Sequence, residues 1–227
     1  MLETHSSTRL GTWLHTLPTS VHLVVMLVAG ALITFSFAPF HAWPIGILSV
    51  TLFILSLGSC RRPLLAASAF GFAYYASGIH WIYTSIHHFG NASPVFASVL
   101  VGLFAAFMAV VFLIPFYAWN RWLKTLPFGL TLSVAVCWAL GEWFRTWFLT
   151  GFPWLFLGYA HHGTWLAGWA PVTGVIGLSF MVALTASLIA YAMRCRVQAR
   201  YATVGLAVIG VCWLGGLGLT HFCWSQL

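Results

Sequence analysis

Residues 94–118 read PVFASVLVGLFAAFMAVVFLIPFYA, a run without one charged side chain. A helix rises about 1.5 Å per residue, so this run alone exceeds the roughly 30 Å hydrocarbon core of a bilayer. In water such a helix would expose apolar surface all round, whereas lipid covers that surface without a protein partner. Outward from it, further apolar windows fall at 19–37, 43–59, 64–83, 127–144, 167–193 and 202–222. The reading is an all-α membrane protein, a bundle of about seven transmembrane helices. Residues 1–18 form a cytoplasmic N-terminal segment and 19–227 the transmembrane domain.

Composition agrees with a lipid solvent. The chain has 227 residues, 61% of them hydrophobic and 5% charged, where a soluble domain carries about a quarter charged residues. That length holds roughly seven spans with short loops and leaves no room for a sizeable soluble domain. The net charge of +7 would suit nucleic acid if it lay along one face, but the basic residues sit in small groups between apolar runs, so no nucleic-acid partner is expected.

Those groups read as topology signals. Arg9 precedes the first window, Arg61 and Arg62 follow the second, Arg121 and Lys124 the fourth, and Arg194, Arg196 and Arg200 the sixth. All share one side of the membrane, and Arg145 alone falls on the other. The positive-inside rule makes the first side the cytoplasm, with Leu227 on the outer side. The far end of the first window, Phe35-Ser36-Phe37-Ala38-Pro39-Phe40, lacks the small-x-small pattern of a cleaved signal, so the helix is expected to be retained. The five cysteines show neither CxxC nor Cys/His ligand spacing, and no disulfide framework is expected.

Local chemistry adds detail. Pro39 and Pro44 favour a tight hairpin between the first two helices. Small residues four apart at Ala69-Ala73-Ser77, Ser98-Gly102-Ala106 and Ser179-Ala183-Ser187 suit close helix contacts. Glu142 and Arg145 lie three apart, on one helical face, and a charge in lipid costs at least about 2.5 kcal/mol, so the two are expected to pair. Such a pair either anchors the helix or lets Arg145 receive a lipid phosphate while Glu142 orients it. Thr150-Gly151-Phe152-Pro153-Trp154-Leu155-Phe156-Leu157-Gly158-Tyr159 follows, either an interfacial aromatic belt or a loop folded back to shape an acyl-chain cleft, with Trp154 pointing inward. His87-His88 and His161-His162 have no carboxylate or thiol at ligand spacing, so neither a metal nor a cofactor is expected.

Four stretches carry a resemblance to one family. They are Phe35 through Pro44; Ser77-Gly78-Ile79-His80-Trp81-Ile82-Tyr83-Thr84-Ser85-Ile86 through Gly90; Trp138-Ala139-Leu140-Gly141-Glu142-Trp143-Phe144-Arg145 through Trp154; and Leu166-Ala167-Gly168-Trp169-Ala170-Pro171 with Gly174 and Gly177. In order and content they resemble the membrane domain of apolipoprotein N-acyltransferases. The resemblance implies a bacterial inner-membrane enzyme that moves an acyl chain from a phospholipid to the N-terminal cysteine amine of a diacylated lipoprotein. It implies that Gly151, Phe152 and Trp154 border the lipid access, that Arg145 beside Glu142 contacts a headgroup, and that Trp81 and Tyr83 belong to the same lipid site.

The family places a Glu, Lys and Cys catalytic set in a nitrilase-like domain after the seventh span, with an eighth helix following. The present sequence ends at Leu227, so the expectation is a membrane domain without catalytic residues, inactive alone. It would be either a fragment or one half of a split enzyme whose partner is a separate nitrilase-like chain. Its only acids are Glu3 and Glu142 and its only lysine is Lys124, and Lys124 and Glu142 are expected on opposite sides of the bilayer. A non-catalytic lipid-binding scaffold and a small seven-helix transporter are the alternatives. A transporter predicts a polar path and internal repeats, whereas this sequence offers one charged pair and no repeat.

Overall fold

Helix α1 (Arg9–Thr16) begins at Thr8, whose hydroxyl accepts from the Gly11 N–H at 3.0 Å and so satisfies one of the donors that every helix start leaves open. The computed structural model describes residues 8–126, 128–195 and 199–221, the side chains of 199 and 200 excepted, and all regular elements among them are helical. Glu3, Pro127, Arg196 and Cys223 lie outside the described residues, as does the side chain of Arg200.

The order continues with α2 (Thr19–Leu32), extended by a 3-10 turn at Ile33–Ser36, then α3 (Trp43–Ser59) and α4 (Pro63–Gly78). Next come the short α5 (Trp81–Thr84), α6 (Pro94–Ala118), α7 (Leu132–Arg145), α8 (Ala170–Arg194) and α9 (Ala199–Leu219). The seven longer helices after α1 coincide with the seven apolar windows. Four stretches are long and apolar enough to cross a membrane, Thr19–Ser36, Pro94–Leu123, Trp165–Arg194 and Tyr201–Leu219, and α3 is a shorter apolar helix.

Boundaries follow backbone chemistry. Pro63 and Pro94 stand at helix starts, where the missing N–H costs nothing, and Ser93 caps the Phe96 N–H at 3.3 Å. The α2–α3 reversal occurs where the proline spacing puts it, closed by the Ala42 N–H on the Phe35 carbonyl at 3.1 Å. α7 starts at Leu132 and not at 127: residues 124–126 and 128–131 form turns and a bend, and the Trp119 indole N–H donates to the Gly129 carbonyl.

The core is aromatic. Phe53 of α3 is fully buried and lies 4.7–5.8 Å, centroid to centroid, from Phe70 of α4, Phe112 and Phe116 of α6 and Trp138 of α7. These tilted and edge-on arrangements suit ring quadrupoles. Where α2 crosses α4, a Cβ at Gly30 would lie 2.3 Å from the Phe70 carbonyl oxygen, so that crossing requires glycine. Ala73 faces Gly30 there, and the Ser77 and Thr34 hydroxyls bond at 2.7 Å. Ser179, Ala183 and Ser187 are fully buried. The third ladder differs from expectation: Ser98 and Ala106 are exposed and a Cβ on Gly102 would touch nothing within 4 Å. α6 buries the neighbouring stripe of Ala105, Met108 and Phe112 instead, since the bulkier side chains fill the aromatic core.

Candidate functional site

After Arg145 the backbone turns back on itself through left-handed conformations that side chains rarely adopt. Leu149, Thr150 and Gly151 have φ of +48°, +75° and +88°, and Leu155 follows at +59°. A Cβ at Gly151 would lie 2.2 Å from the Thr146 carbonyl oxygen, which makes glycine obligatory at this turn. Each non-glycine residue in this region costs on the order of 1–3 kcal/mol and persists only where its surroundings fix it.

Three helices supply that fixing. From α7, Glu142 Oε1 accepts the Leu157 N–H at 2.8 Å and the Trp138 indole N–H at 2.9 Å, while Arg145 Nη1 donates to the Trp154 carbonyl at 3.2 Å. From α4, the Tyr74 hydroxyl donates to the Leu155 carbonyl, and from α8 the Ser179 hydroxyl accepts the Gly158 N–H at 2.8 Å. The Phe152 N–H closes the turn on the Arg145 carbonyl at 2.7 Å. The loop therefore folds against the bundle, one of the two readings open for residues 150–159, and its polar backbone groups are met by buried side chains.

Glu142 and Arg145 are both buried, at 2% and 4% exposure. The expected direct pair is not formed. Each instead holds a different part of the loop, and both line a small cavity of about 10 Å³ with Tyr74, Cys137 and Trp138. Leu157 and Trp154 present backbone groups that need buried partners, and these take the positions that a direct salt bridge would use. The Arg145 guanidinium also sits over the Tyr75 and Phe156 rings, at 5.4 and 4.9 Å from their centroids, contacts that stabilise a desolvated cation.

Arg145 also lines a second, larger cleft of about 210 Å³, together with Phe104, Phe107 and Met108 of α6 and residues 148–152 of the turn. One cation, one glycine turn and aromatic or aliphatic walls make a site for an amphipathic ligand with an anionic end.

Sequence-derived candidates fall into two groups. Gly151, Phe152 and Arg145 line this cleft, and Glu142 fixes it from behind. Trp154 does not point inward: it is 52% exposed and packs on Phe152 and Trp81, at 5.4 and 6.4 Å between centroids. Arg145 takes the Trp154 carbonyl, which turns the indole to the outside. Tyr83 packs on His87 at 5.3 Å and is apart from the cleft. Tyr74 and Ser179 were missed, although a hydroxyl in an apolar span must find a partner, and that is the signal each one carries.

Elsewhere, His161 is fully buried against Trp43 and Trp213, and burial pushes its imidazole down to about 4. Among the described residues no group of three His, Cys, Asp or Glu side chains converges as a metal site would require. Lys124 lines a pocket near Arg194 and Glu142 the small cavity at the loop, so the two share no site.

The family model of the apolipoprotein N-acyltransferase N-terminal domain matches residues 29–188. Apolipoprotein N-acyltransferase of Pseudomonas syringae pv. tomato is 40% identical over 207 residues, covering 89% of this chain and 41% of the relative. The Pseudomonas putida enzyme is 39% identical over 206 residues, with 89% and 41% covered. The Coxiella burnetii enzyme is 33% identical over 208 residues, with 89% and 42% covered. The chain spans about two fifths of the length of these curated relatives.

Proposed function

Because this chain belongs to the apolipoprotein N-acyltransferase family, we propose that it forms the membrane domain that admits a phospholipid to acyl transfer in the bacterial inner membrane, with a diacylated lipoprotein as acceptor. The observation that carries the proposal is the cleft at Arg145. The guanidinium matches phosphate oxygens, and the Phe104, Phe107, Met108 and Phe152 walls suit an acyl chain. Glu142 holds the loop in place through Oε1, which accepts the Leu157 and Trp138 donors. These residues bind and orient, and the covalent steps fall to a nitrilase-like domain, in the same polypeptide or a separate one.

The test is phospholipid retention by the purified chain in native mass spectrometry. Phe107 lines the cleft and Val110 does not, yet both are exposed near the middle of α6, at 41% and 61%. A carboxylate at either position lies at a similar depth and has a similar cost in lipid. Phe107→Asp is expected to release bound phospholipid while Val110→Asp keeps it. Equal retention in the two variants overturns the assignment of the cleft.

A further inference from the structure

A pocket of about 370 Å³ lies at the other end of α3 and α8 from the loop, where the α3–α4 connection, the turn after α6 and the last residue of α8 meet. Arg61, Lys124 and Arg194 bring three cations to it, together with Asn120 and the ring of Trp119. Glu142, the one acid among the described residues, lines a different cavity. Convergence of like charges with no carboxylate among them is unfavourable unless an anion joins them.

The donors are only partly used. Arg194 Nη2 donates to His15 Nε2 at 2.7 Å, while Nη1 is buried with no hydrogen-bond partner among the described residues. Burial, and then the Arg194 charge, hold His15 below its ordinary value, as suits a ring nitrogen that accepts from the guanidinium. Gly58 makes room for this guanidinium: a Cβ there would lie 2.0 Å from Nη1. Among the described residues Lys124 Nζ bonds only to Asn120 Oδ1, at 3.0 Å, which leaves two of its three donors open to a ligand.

Leu57, Pro63 and Leu130 line the pocket together with these cations. Beside it, Trp122, Leu126 and Phe128 are exposed at 61%, 49% and 64%, as side chains are at a membrane interface. Cations at the rim, apolar walls and an interfacial position together describe a headgroup site.

We propose that this pocket binds the phosphate of an anionic lipid, a second lipid site distinct from the Arg145 cleft. The purified chain in neutral detergent is titrated with short-chain phosphatidylglycerol, with short-chain phosphatidylcholine and with inorganic phosphate, and binding is read by thermal shift. Arg61→Gln/Lys124→Gln removes two exposed rim charges. Arg62→Gln/Arg121→Gln removes the same charge from exposed positions outside the pocket.

The expected result is binding of phosphatidylglycerol over phosphatidylcholine, weakened about 30-fold in the pocket variant and far less in the control. Equal loss in both variants means diffuse surface attraction and overturns the site. Inorganic phosphate binding as tightly as the lipid overturns the lipid assignment, and absence of phosphatidylglycerol binding overturns the proposal. Phe107→Asp is expected to leave this binding unchanged, so failure of the Arg145 reading and failure of this one are told apart. If Phe107→Asp abolishes phosphatidylglycerol binding, the lipid occupies the cleft and the second site is overturned.

Discussion

Glu142 accepts the backbone N–H of Leu157 at 2.8 Å across fifteen residues of sequence. That bond ties the end of α7 to the far side of a loop whose near side is held by Arg145, so two buried charges act through one backbone segment without touching. Glu142 and Arg145 are therefore expected to couple energetically although no ion pair links them. Glu142→Leu should cost about 1–3 kcal/mol for each buried donor it strands, the Leu157 N–H and the Trp138 indole N–H. The double variant with Arg145→Met should cost at least about 1 kcal/mol less than the sum of the singles. Strict additivity in denaturation of the detergent-solubilised variants would contradict the shared-loop account.

Gly151→Ala places a side chain at φ +88° and 2.2 Å from the Thr146 carbonyl oxygen. A loss of about 1–3 kcal/mol or more is expected. Gly163→Ala is the control, since a Cβ there meets nothing within 4 Å. Equal melting temperatures for the two variants would show that the turn is not held as described.

The buried His161 gives stability a pH dependence of known sign. Its imidazole is held down to about 4 from an ordinary 6.5, so between these values the unfolded chain takes up a proton that the folded chain refuses. The stability is complete above about pH 6.5 and falls as the pH drops toward 4, by about 3 kcal/mol. His161→Phe should remove that part of the slope. An unchanged slope would place the titration elsewhere.

The number of helices was legible because lipid leaves a run of residues such as 94–118 only one reading. The hairpin at Pro39 was legible for a similar reason, since proline limits which backbone can continue. What stayed hidden depends on partners distant in sequence. The spacing of Glu142 and Arg145 indicated one helical face but not that Leu157 and Trp154 would occupy them. Trp154 carried the right motif and the wrong orientation, because its backbone carbonyl is what the site uses. The ladder at Ser98, Gly102 and Ala106 looked like its neighbours, yet which stripe of α6 faces inward was set by the aromatic core.

Orientation is open to a direct check. Reporter fusions after Lys124 and after Leu227 are expected in opposite compartments, cytoplasmic and periplasmic, by the distribution of basic residues. Reporters in the same compartment would contradict the topology.

These 227 residues alone are expected not to transfer acyl groups. Covalent transfer needs a nucleophile, a base and an oxyanion stabiliser within reach of one another, and Glu142 and Lys124 line separate pockets. Triacylated product from phospholipid and a diacylated lipopeptide should appear only with a nitrilase-like domain present. Turnover by the chain alone, abolished by Cys223→Ala, would contradict this expectation.

The most direct test of the lipid cleft is photocrosslinking with a phospholipid that carries a diazirine on its acyl chain, followed by peptide mapping. Adducts should concentrate on Phe104, Phe107, Met108 and Phe152, which line the cleft with Arg145. Labelling spread evenly over exposed α6 positions such as Val99 and Val110 would mean that the acyl chain meets an ordinary lipid-facing surface, and would contradict the account.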